Sequence, residues 1–389
     1  MKFIRKGFLP IILAAVLFLS ACTGDLIDPF GTNGDDVFNP LNTNTIIEPS
    51  FVDYTVTRLL YETLNEKEKQ AYRRIYNSVF EHPSKIVIPS LTEEELSTVF
   101  LALKFDNPHL LCLKNTYTYY YTDSTFYFLP EYNEKPETCD KMTAGLMNSA
   151  KEICGGLPGR NDEYEKELYL HDALTKLVRY GDGANSDTAY GALVDKKAAC
   201  GGYALACKLL FDMAGIQSVA VSGTTRDDDG NAVPHMWLAV NINKNWYFID
   251  PAWDDPVGGA DGESRHTYFN VNAQELELTH FGYTLPESVK CESSEEDYYT
   301  KSGLYLNREN WENTVSAQLS GAKTLPSCFE FRFENGELFK EASERLFSDG
   351  LFADIVKANT SLSGDLTLSH SEDDDRSIIH IYIREKTKE

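Results

Sequence analysis

The strongest constraint on the fold lies between residues 187 and 255, where a helical pattern is followed by apolar strands. Apolar residues recur at helical spacing after Cys200, which predicts a helix that begins there. The apolar face of this helix consists of Tyr203, Cys207, Leu210, Phe211 and Ala214. Two apolar runs further along, 233–240 and 246–250, are separated by the polar turn Asn243-Lys244-Asn245. They predict a β-hairpin downstream of the helix.

Cys200 stands at the predicted N-terminus of this helix. The unpaired backbone N–H groups and the positive end of the helix dipole at that position favour a thiolate over a thiol. Gly201 and Gly202 follow directly and, although they are poor helix formers, they allow a substrate backbone to approach closely. A lone cysteine in an apolar helix is most often a core residue. Its position at the helix start makes Cys200 a candidate nucleophile, provided that the fold brings a base and an orienting group to it.

The predicted hairpin supplies two further polar residues. His235 follows Pro234 at the start of the first strand, and Asp250 ends the second strand. If the chain folds back at the 243–245 turn, the two residues lie almost equally far from it and become cross-strand neighbours. In that arrangement a carboxylate can hold an imidazole in one tautomer and orientation. Together with Cys200, they supply a nucleophile, a base and an orienting group.

These segments resemble the transglutaminase-like domain. The resemblance is carried, in chain order, by Leu170-His171-Asp172-Ala173-Leu174, Ala189-Tyr190-Gly191-Ala192-Leu193, Cys200-Gly201-Gly202-Tyr203-Ala204, His235-Met236-Trp237 and Tyr247-Phe248-Ile249-Asp250-Pro251-Ala252-Trp253-Asp254-Asp255-Pro256. It covers about 165–257. It implies an α+β fold with a papain-like core, in which the nucleophile helix packs on an antiparallel sheet.

The resemblance also implies an activity. Cys200 would attack the carboxamide of a glutamine side chain or a related amide of a protein or peptide. His235 would move the protons and Asp250 would hold the imidazole. An amine or water would then resolve the Cys-thioester, and no cofactor or metal is needed. Two other interpretations stay open: a papain-like cysteine peptidase or amidase, and a non-enzymatic surface binding or scaffold protein that retains the fold.

Three residues near the motifs are candidates for the substrate cleft. Many relatives have Glu directly after the nucleophile, where this chain has Gly201, so local substrate contacts differ from theirs. Tyr190 could contribute to an oxyanion site, with core packing as the preferred interpretation. Trp237 could form a wall of the acyl tunnel, again with packing as the alternative. His171 is interpreted as structural, and Asp254 and Asp255 as residues that shape a turn.

The N-terminus predicts export. Three basic residues within 1–6 precede an apolar run at 8–19 that is too short to span a bilayer comfortably. The run ends in Leu19-Ser20-Ala21-Cys22, which resembles a lipobox, so we expect 1–21 to be a signal peptide. Cys22 would be lipidated and would anchor the protein on the extracytoplasmic face of the cell membrane. The alternative is a plain signal peptide with an incidental cysteine.

Composition limits the partners. The formal net charge of −24 argues against nucleic acid and against anionic membrane surfaces, so we expect membrane contact through the lipid anchor only. No group of cysteines and histidines has zinc-site spacing. Cys112 and Cys207 are predicted as buried small residues. Cys139 and Cys154 are the only cysteines close enough in sequence to suggest a disulfide.

The remaining segments complete the predicted organisation. Capping-box patterns at Asn65 and Thr92 each predict the start of a helix in the N-terminal region. The predicted divisions are 1–21 as signal peptide, 22–50 as lipid-anchored flexible stalk, 51–137 as N-terminal α+β region, 138–285 as transglutaminase-like domain, 286–322 as connector and 323–389 as a small C-terminal α+β region.

Overall fold

The computed structural model describes residues 3–8 and 37–38 as strands, and residues 43–122, 125–157, 159–226, 230–255, 264–362 and 364–386 in full. Cys22, residues 9–19 of the predicted apolar run and most of the predicted stalk lie outside these residues. The lipid anchor therefore stays a prediction. None of the described helices is long and apolar enough to cross a membrane.

The N-terminal region consists of three helices and a five-stranded sheet in the order β1–β4–β5–β3–β2. Its elements are β1 (Phe3–Phe8), β2 (Val37–Phe38), α1 (Leu59–Thr63), α2 (Glu66–Val79), β3 (Lys85–Ile88), α3 (Glu93–Asp106), β4 (Leu113–Tyr121) and β5 (Phe126–Tyr132). Asn65 and Thr92 each form the predicted capping box, with Glu68 and Glu95, so both helix starts are confirmed. Strand β1, which pairs with β4, falls within the predicted signal peptide.

The central region places a helix layer on a four-stranded antiparallel sheet in the order β11–β10–β9–β8. Its elements are α4 (Pro136–Cys154), α5 (Glu163–Leu177), β6 (Arg179–Tyr180), β7 (Lys197–Ala198), α6 (Cys200–Ala214), β8 (Ser218–Arg226), β9 (Ala232–Ile242), β10 (Asn245–Ile249), β11 (Phe269–Val271) and α7 (Ala273–Leu276). Helix α6 packs against β8 and β9. The predicted α+β class, with the nucleophile helix on an antiparallel sheet, is confirmed.

The hairpin of β9 and β10 turns as the sequence predicts. Asn243 and Lys244 have φ values of 52° and 72°. Positive φ at both central residues is the requirement of a type I′ turn, whose twist matches that of the flanking strands. Asparagine tolerates this conformation better than most residues do.

The C-terminal region has its own sheet, in the order β12–β13–β15–β14. Its elements are α8 (Tyr298–Ser302), β12 (Tyr305–Leu306), α9 (Trp311–Ser320), β13 (Ser327–Phe333), α10 (Gly336–Ser343), α11 (Leu351–Ala358), β14 (Leu366–Asp373) and β15 (Ile378–Glu385). Leu306, Trp311 and Val315 belong to the apolar core of this region. The core therefore includes part of the segment 286–322 that was predicted as a connector.

The N-terminal and central regions share one apolar core, in which Tyr72 and Phe100 belong to the same buried cluster as Leu205 of α6. A buried ion pair reinforces this contact. Lys208 Nζ lies 2.8 Å from Asp212 Oδ2 and donates to the Thr57 carbonyl at 2.8 Å. The N-terminal region is thereby attached to the helix that carries Cys200.

The disulfide differs from the suggested pairing. Cys139 is bonded to Cys112, with their Cα atoms 6.0 Å apart, and not to Cys154. Cys139 and Cys154 both lie on α4, where fifteen residues at about 1.5 Å each separate them by about 22 Å. Strand β5 instead returns the chain to the start of β4, where Asn133 N–H donates to the Cys112 carbonyl at 2.9 Å. Cys112 is buried as predicted, but it is disulfide-bonded and not simply a small core residue.

We predict that Cys139→Ser lowers the free energy of unfolding by about 3–4 kcal/mol, because the bond closes a loop between residues 27 positions apart. Cys154→Ser, which removes an unbonded thiol from the same helix, serves as the control and should cost much less. Denaturant unfolding measures both. A non-reducing peptide map that shows free Cys112, or Cys139 joined to Cys154, would contradict the pairing.

Candidate active site

Cys200 is the first residue of α6, and its side chain is buried, with only 4% of the residue exposed. The segment before the helix packs closely across its start: a Cβ at Gly202 would lie 2.2 Å from the Ser186 carbonyl oxygen, so only glycine fits there. At Gly201 the nearest atom, in Asp187, would be 3.6 Å away. A Cβ at position 201 would therefore make ordinary van der Waals contacts, so this position, unlike Gly202, does not require glycine.

His235 and Asp250 meet as predicted, although their register differs from the prediction. His235 Nε2–H donates to Asp250 Oδ2 at 2.6 Å. Ile249, the last residue of β10, pairs with Leu238, which places the next residue, Asp250, opposite Trp237. His235 lies two residues before Trp237 on β9. The contact is therefore diagonal across the hairpin and not between directly opposed residues.

Asp250 is fully buried and its two oxygens accept four hydrogen bonds. Oδ2 accepts from His235 and, at 3.0 Å, from His280 Nε2–H. Oδ1 accepts the backbone N–H groups of Ala252 at 3.0 Å and Trp253 at 3.2 Å. Burial alone would raise the pKa of this carboxyl, but the charge and hydrogen bond of His235, with those of His280, hold it below its ordinary value. Asp250 is thus a fixed carboxylate.

The environment of His235 favours the imidazolium form. Burial works against a charge there, but the Asp250 charge, the hydrogen bond to Asp250 and the interaction with Cys200 outweigh it and raise the pKa of His235 to about 10. Because Nε2 is bonded to Asp250, Nδ1 is the nitrogen left for the thiol. The residues predicted as nucleophile, base and orienting group therefore form one continuous chain of contacts.

His280 is part of the site and was not predicted. It follows α7, thirty positions after Asp250, and its Nδ1 lies 2.8 Å from Thr279 Oγ1. Burial lowers the pKa of His280 despite the neighbouring carboxylate. A neutral ring fits both contacts, because Nε2–H donates to Asp250 while Nδ1 accepts from the threonine hydroxyl. No motif around Thr279-His280 marks this role, since it depends on where α7 returns the chain.

The two aspartates after Asp250 do more than shape a turn. Asp254 Oδ2 lies 3.1 Å from His171 Nε2, and Asp254 Oδ1 accepts the Tyr268 N–H at 2.9 Å. Asp255 accepts hydrogen bonds from the Tyr203 hydroxyl and from the Tyr180 N–H. The loop that follows Asp250 is thus held on both sides. His171 has the structural role predicted for it.

Two of the predicted cleft residues lie in the packed interior. Trp237 is completely buried and packs with Val219 and Val221, which favours the packing interpretation over a wall of the tunnel. The cause is that β9 is covered on both faces. The Tyr190 ring faces Gly145 on α4 and packs against the main core, which favours the packing interpretation.

Other aromatic residues border the site instead. Tyr180 is 47% exposed, and burial together with the charges of Cys200 and Asp250 raises its pKa. Trp253 is half-buried, with its ring centroid 5.7 Å from that of His235. We therefore assign the rim of the cleft to Tyr180 and Trp253. Neither was singled out from the sequence.

Two groups among the described residues bring potential metal ligands within 4.8 Å of one another. The first, His235, Asp250 and His280, is the hydrogen-bonded set just described. The second group, at a separate place, consists of His171, Asp172 and His266. The sequence predicted no metal site.

A comparison with protein families matches residues 151–251 to the transglutaminase-like superfamily. This segment contains Cys200, His235 and Asp250, so the chain carries a transglutaminase-like domain there. No curated protein gave a significant match.

Several solved structures resemble part of the chain. A TGase is 16% identical and covers 36% of this chain and 42% of its own, with a TM-score of 0.25. A candidate cysteine protease from Cytophaga hutchinsonii is 16% identical, with coverages of 35% and 53% and a TM-score of 0.24. The periplasmic domain of TgpA from Pseudomonas aeruginosa, bound to ethylmercury, is 18% identical, with coverages of 33% and 55% and a TM-score of 0.22. The chain thus spans about half the length of these proteins.

We predict that His280→Ala lowers kcat about tenfold while KM changes little, because Asp250 loses one donor and no longer holds the imidazole firmly. His280→Gln should recover most of the rate, since its amide N–H can replace the imidazole donor. Steady-state kinetics, with thermal melts as a check on folding, measure both. Equal losses in the two variants, or full activity in His280→Ala, would contradict this role.

Proposed function

We propose that this protein is an extracytoplasmic, transglutaminase-like acyl-transfer enzyme that acts on protein or peptide amides through a thioester on Cys200. The observation that supports this most strongly is the buried sequence of contacts from Cys200 through His235 to Asp250. A histidine with only a structural role would not require a fixed carboxylate at one nitrogen of its ring and a thiol at the other. The family match over residues 151–251 supports the same conclusion.

In the first half of the reaction, the thiolate sulfur of Cys200 attacks the carbonyl carbon of the amide. The backbone N–H of Cys200 has no acceptor inside its helix and is a suitable donor to the developing oxyanion. As the intermediate collapses, the C–N bond breaks and the proton on His235 passes to the leaving nitrogen. Ammonia leaves if the substrate is a glutamine side chain, and the acyl group remains on sulfur.

In the second half, a primary amine or water attacks the thioester. His235 now accepts the proton of the attacking group, the C–S bond breaks, and the thiolate returns. An amine yields an isopeptide or substituted amide, and water yields the free acid. Asp250 stays ionised throughout, because its charge stabilises the imidazolium in both halves. The same residues thus serve transamidation and hydrolysis, and the acceptor determines which occurs.

The proposed location rests on different features. The leader at 1–21 and the lipobox-like Cys22 favour a lipid anchor, and the Cys112–Cys139 disulfide supports an oxidising, extracytoplasmic compartment. Protein or peptide substrates of the cell envelope would be within reach there. Mass spectrometry of the mature N-terminal peptide tests the anchor. A lipid-modified Cys22 is expected, and an unmodified N-terminus further downstream would contradict it.

Incubation with a glutamine-containing peptide and a biotinylated primary amine tests the activity. We expect labelling that Cys200→Ala abolishes and that His235→Ala reduces almost as far, since these residues form the thioester and move the protons. Asp250→Asn should cost about one to two orders of magnitude less in rate, because its role is orientation and charge. Cys154→Ala, which removes an unbonded thiol from α4, is the matched control and should label normally.

The products separate the competing functions. Cys200-dependent release of ammonia or a cleaved peptide without amine labelling would identify a hydrolase, as a papain-like peptidase or amidase. If no Cys200-dependent product forms from any amide substrate, the catalytic proposal fails and the binding or scaffold function stands.

A further inference from the structure

A second cluster of histidine and carboxylate groups lies where α5, the loop after Asp250 and the C-terminal region meet. His171 and Asp172 are neighbours on α5, and His266 precedes β11. His266 Nε2 lies 2.8 Å from Asp172 Oδ1, and His171 Nδ1 lies 3.5 Å from the same oxygen. One nitrogen of each ring thus points toward one carboxylate oxygen.

The other nitrogen of each ring is also held by a carboxylate. His171 Nε2 lies 3.1 Å from Asp254 Oδ2, and His266 Nδ1 lies 2.8 Å from Glu330 Oε1. Histidines that bind metals commonly donate their second N–H to a carboxylate, which fixes the tautomer and aims the free nitrogen at the ion. Both histidines show this arrangement, with the remaining nitrogens facing the same point.

The surroundings of the two rings favour a cation at that point. His171 is fully buried and His266 is 6% exposed, and their ring centroids are 5.3 Å apart. The rings lie among three carboxylates, those of Asp172, Asp254 and Glu330. Asp172 Oδ2 accepts a hydrogen bond from Lys176 Nζ at 2.5 Å, so Oδ1, which faces both ring nitrogens, is the oxygen left for an ion.

We propose that His171 Nδ1, Asp172 Oδ1 and His266 Nε2 bind one zinc-like divalent transition-metal ion. Two imidazole nitrogens and one carboxylate oxygen suit Zn²⁺, whereas Ca²⁺ and Mg²⁺ require mainly oxygen ligands. Asp172, whose side chain is 26% exposed, also lines a surface depression with Tyr169 and Lys176. Water has access from that side and can serve as the fourth ligand of a tetrahedral site.

The position of the ion gives it a structural role. Through Asp254 it holds the loop that carries Asp250, and through Glu330 on β13 it holds the C-terminal region. Tyr299 and His380 also approach Glu330, at 3.1 Å and 3.6 Å. The ion therefore adds a further link between α5, the loop after Asp250 and the C-terminal region, which hydrogen bonds also connect. This inference does not depend on the activity of Cys200.

Elemental analysis and cobalt spectroscopy on the full mature chain test the site. Protein carrying Cys200→Ala, which rules out binding at the catalytic thiol, is stripped with a chelator, incubated with Zn²⁺ or Co²⁺ and dialysed. We expect one ion per chain and a higher melting temperature with Zn²⁺. The Co²⁺ form should show visible ligand-field bands of tetrahedral nitrogen and oxygen ligation, without a thiolate charge-transfer band.

Two further variants decide which residues bind. Asp172→Asn combined with His266→Gln should lose the ion, while His280→Gln, in the other histidine–carboxylate group, should keep it. The proposal is overturned if the Cys200→Ala protein binds no ion or the double variant retains it. Loss of the ion in His280→Gln, or a thiolate band in the cobalt spectrum, would equally overturn it. If the double variant fails to fold, the cobalt spectrum of His280→Gln decides instead: an unchanged tetrahedral spectrum places the ion at His171, Asp172 and His266, and a lost spectrum overturns the proposal.

Discussion

The buried carboxylate of Asp250 is the constraint on which the site depends. A charge removed from water is tolerated only where hydrogen bonds replace its hydration, and deleting one partner of such a pair typically costs about 3–5 kcal/mol. Its four donors come from β9, from His280 in the segment after α7 and from its own loop. Satisfying this one group therefore requires the hairpin, the loop and the return of the chain after α7 to be placed together. The orientation of His235 toward Cys200 follows from that arrangement.

The loop after Asp250 extends the same principle through the domain. Asp250 and the two aspartates that follow it contact different elements: Asp250 contacts His235 on β9, Asp254 contacts His171 on α5, and Asp255 contacts Tyr203 on the nucleophile helix. The helix is fixed from its other end by Lys208 and Asp212, which bind the N-terminal region. Nucleophile and base are thus supported by separate parts of the protein. Preorganised catalytic groups require such support, because small displacements from the reactive geometry lower the reaction rate.

Local patterns predicted the parts of the site that local chemistry determines. Helical spacing identified the start of α6 at Cys200, and the Asn243-Lys244 turn set the hairpin that brings His235 to Asp250. Contacts distant in sequence were not predictable in this way. His280 has no motif, because its role depends on the path after α7. The Cys112–Cys139 bond depends on where β5 returns the chain, and the burial of Trp237 depends on a second layer over β9. The exact strand register also escaped prediction, since it is decided by packing on both faces.

Alkylation by iodoacetamide across a pH series measures whether His235, held by Asp250, makes Cys200 a reactive nucleophile. Burial raises the pKa of Cys207 and brings that of Cys291 to about 12, so these thiols serve as internal references. Near neutral pH we expect Cys200 to react about tenfold or more faster than Cys207 and Cys291, and we expect His235→Ala to remove the difference. His235 stays protonated up to about pH 10 in the wild type, and Asp250→Asn lowers its pKa, so in that variant the advantage should disappear at lower pH. Reaction of Cys200 at the rate of the reference thiols, or a rate unchanged by His235→Ala, would show that His235 does not activate Cys200.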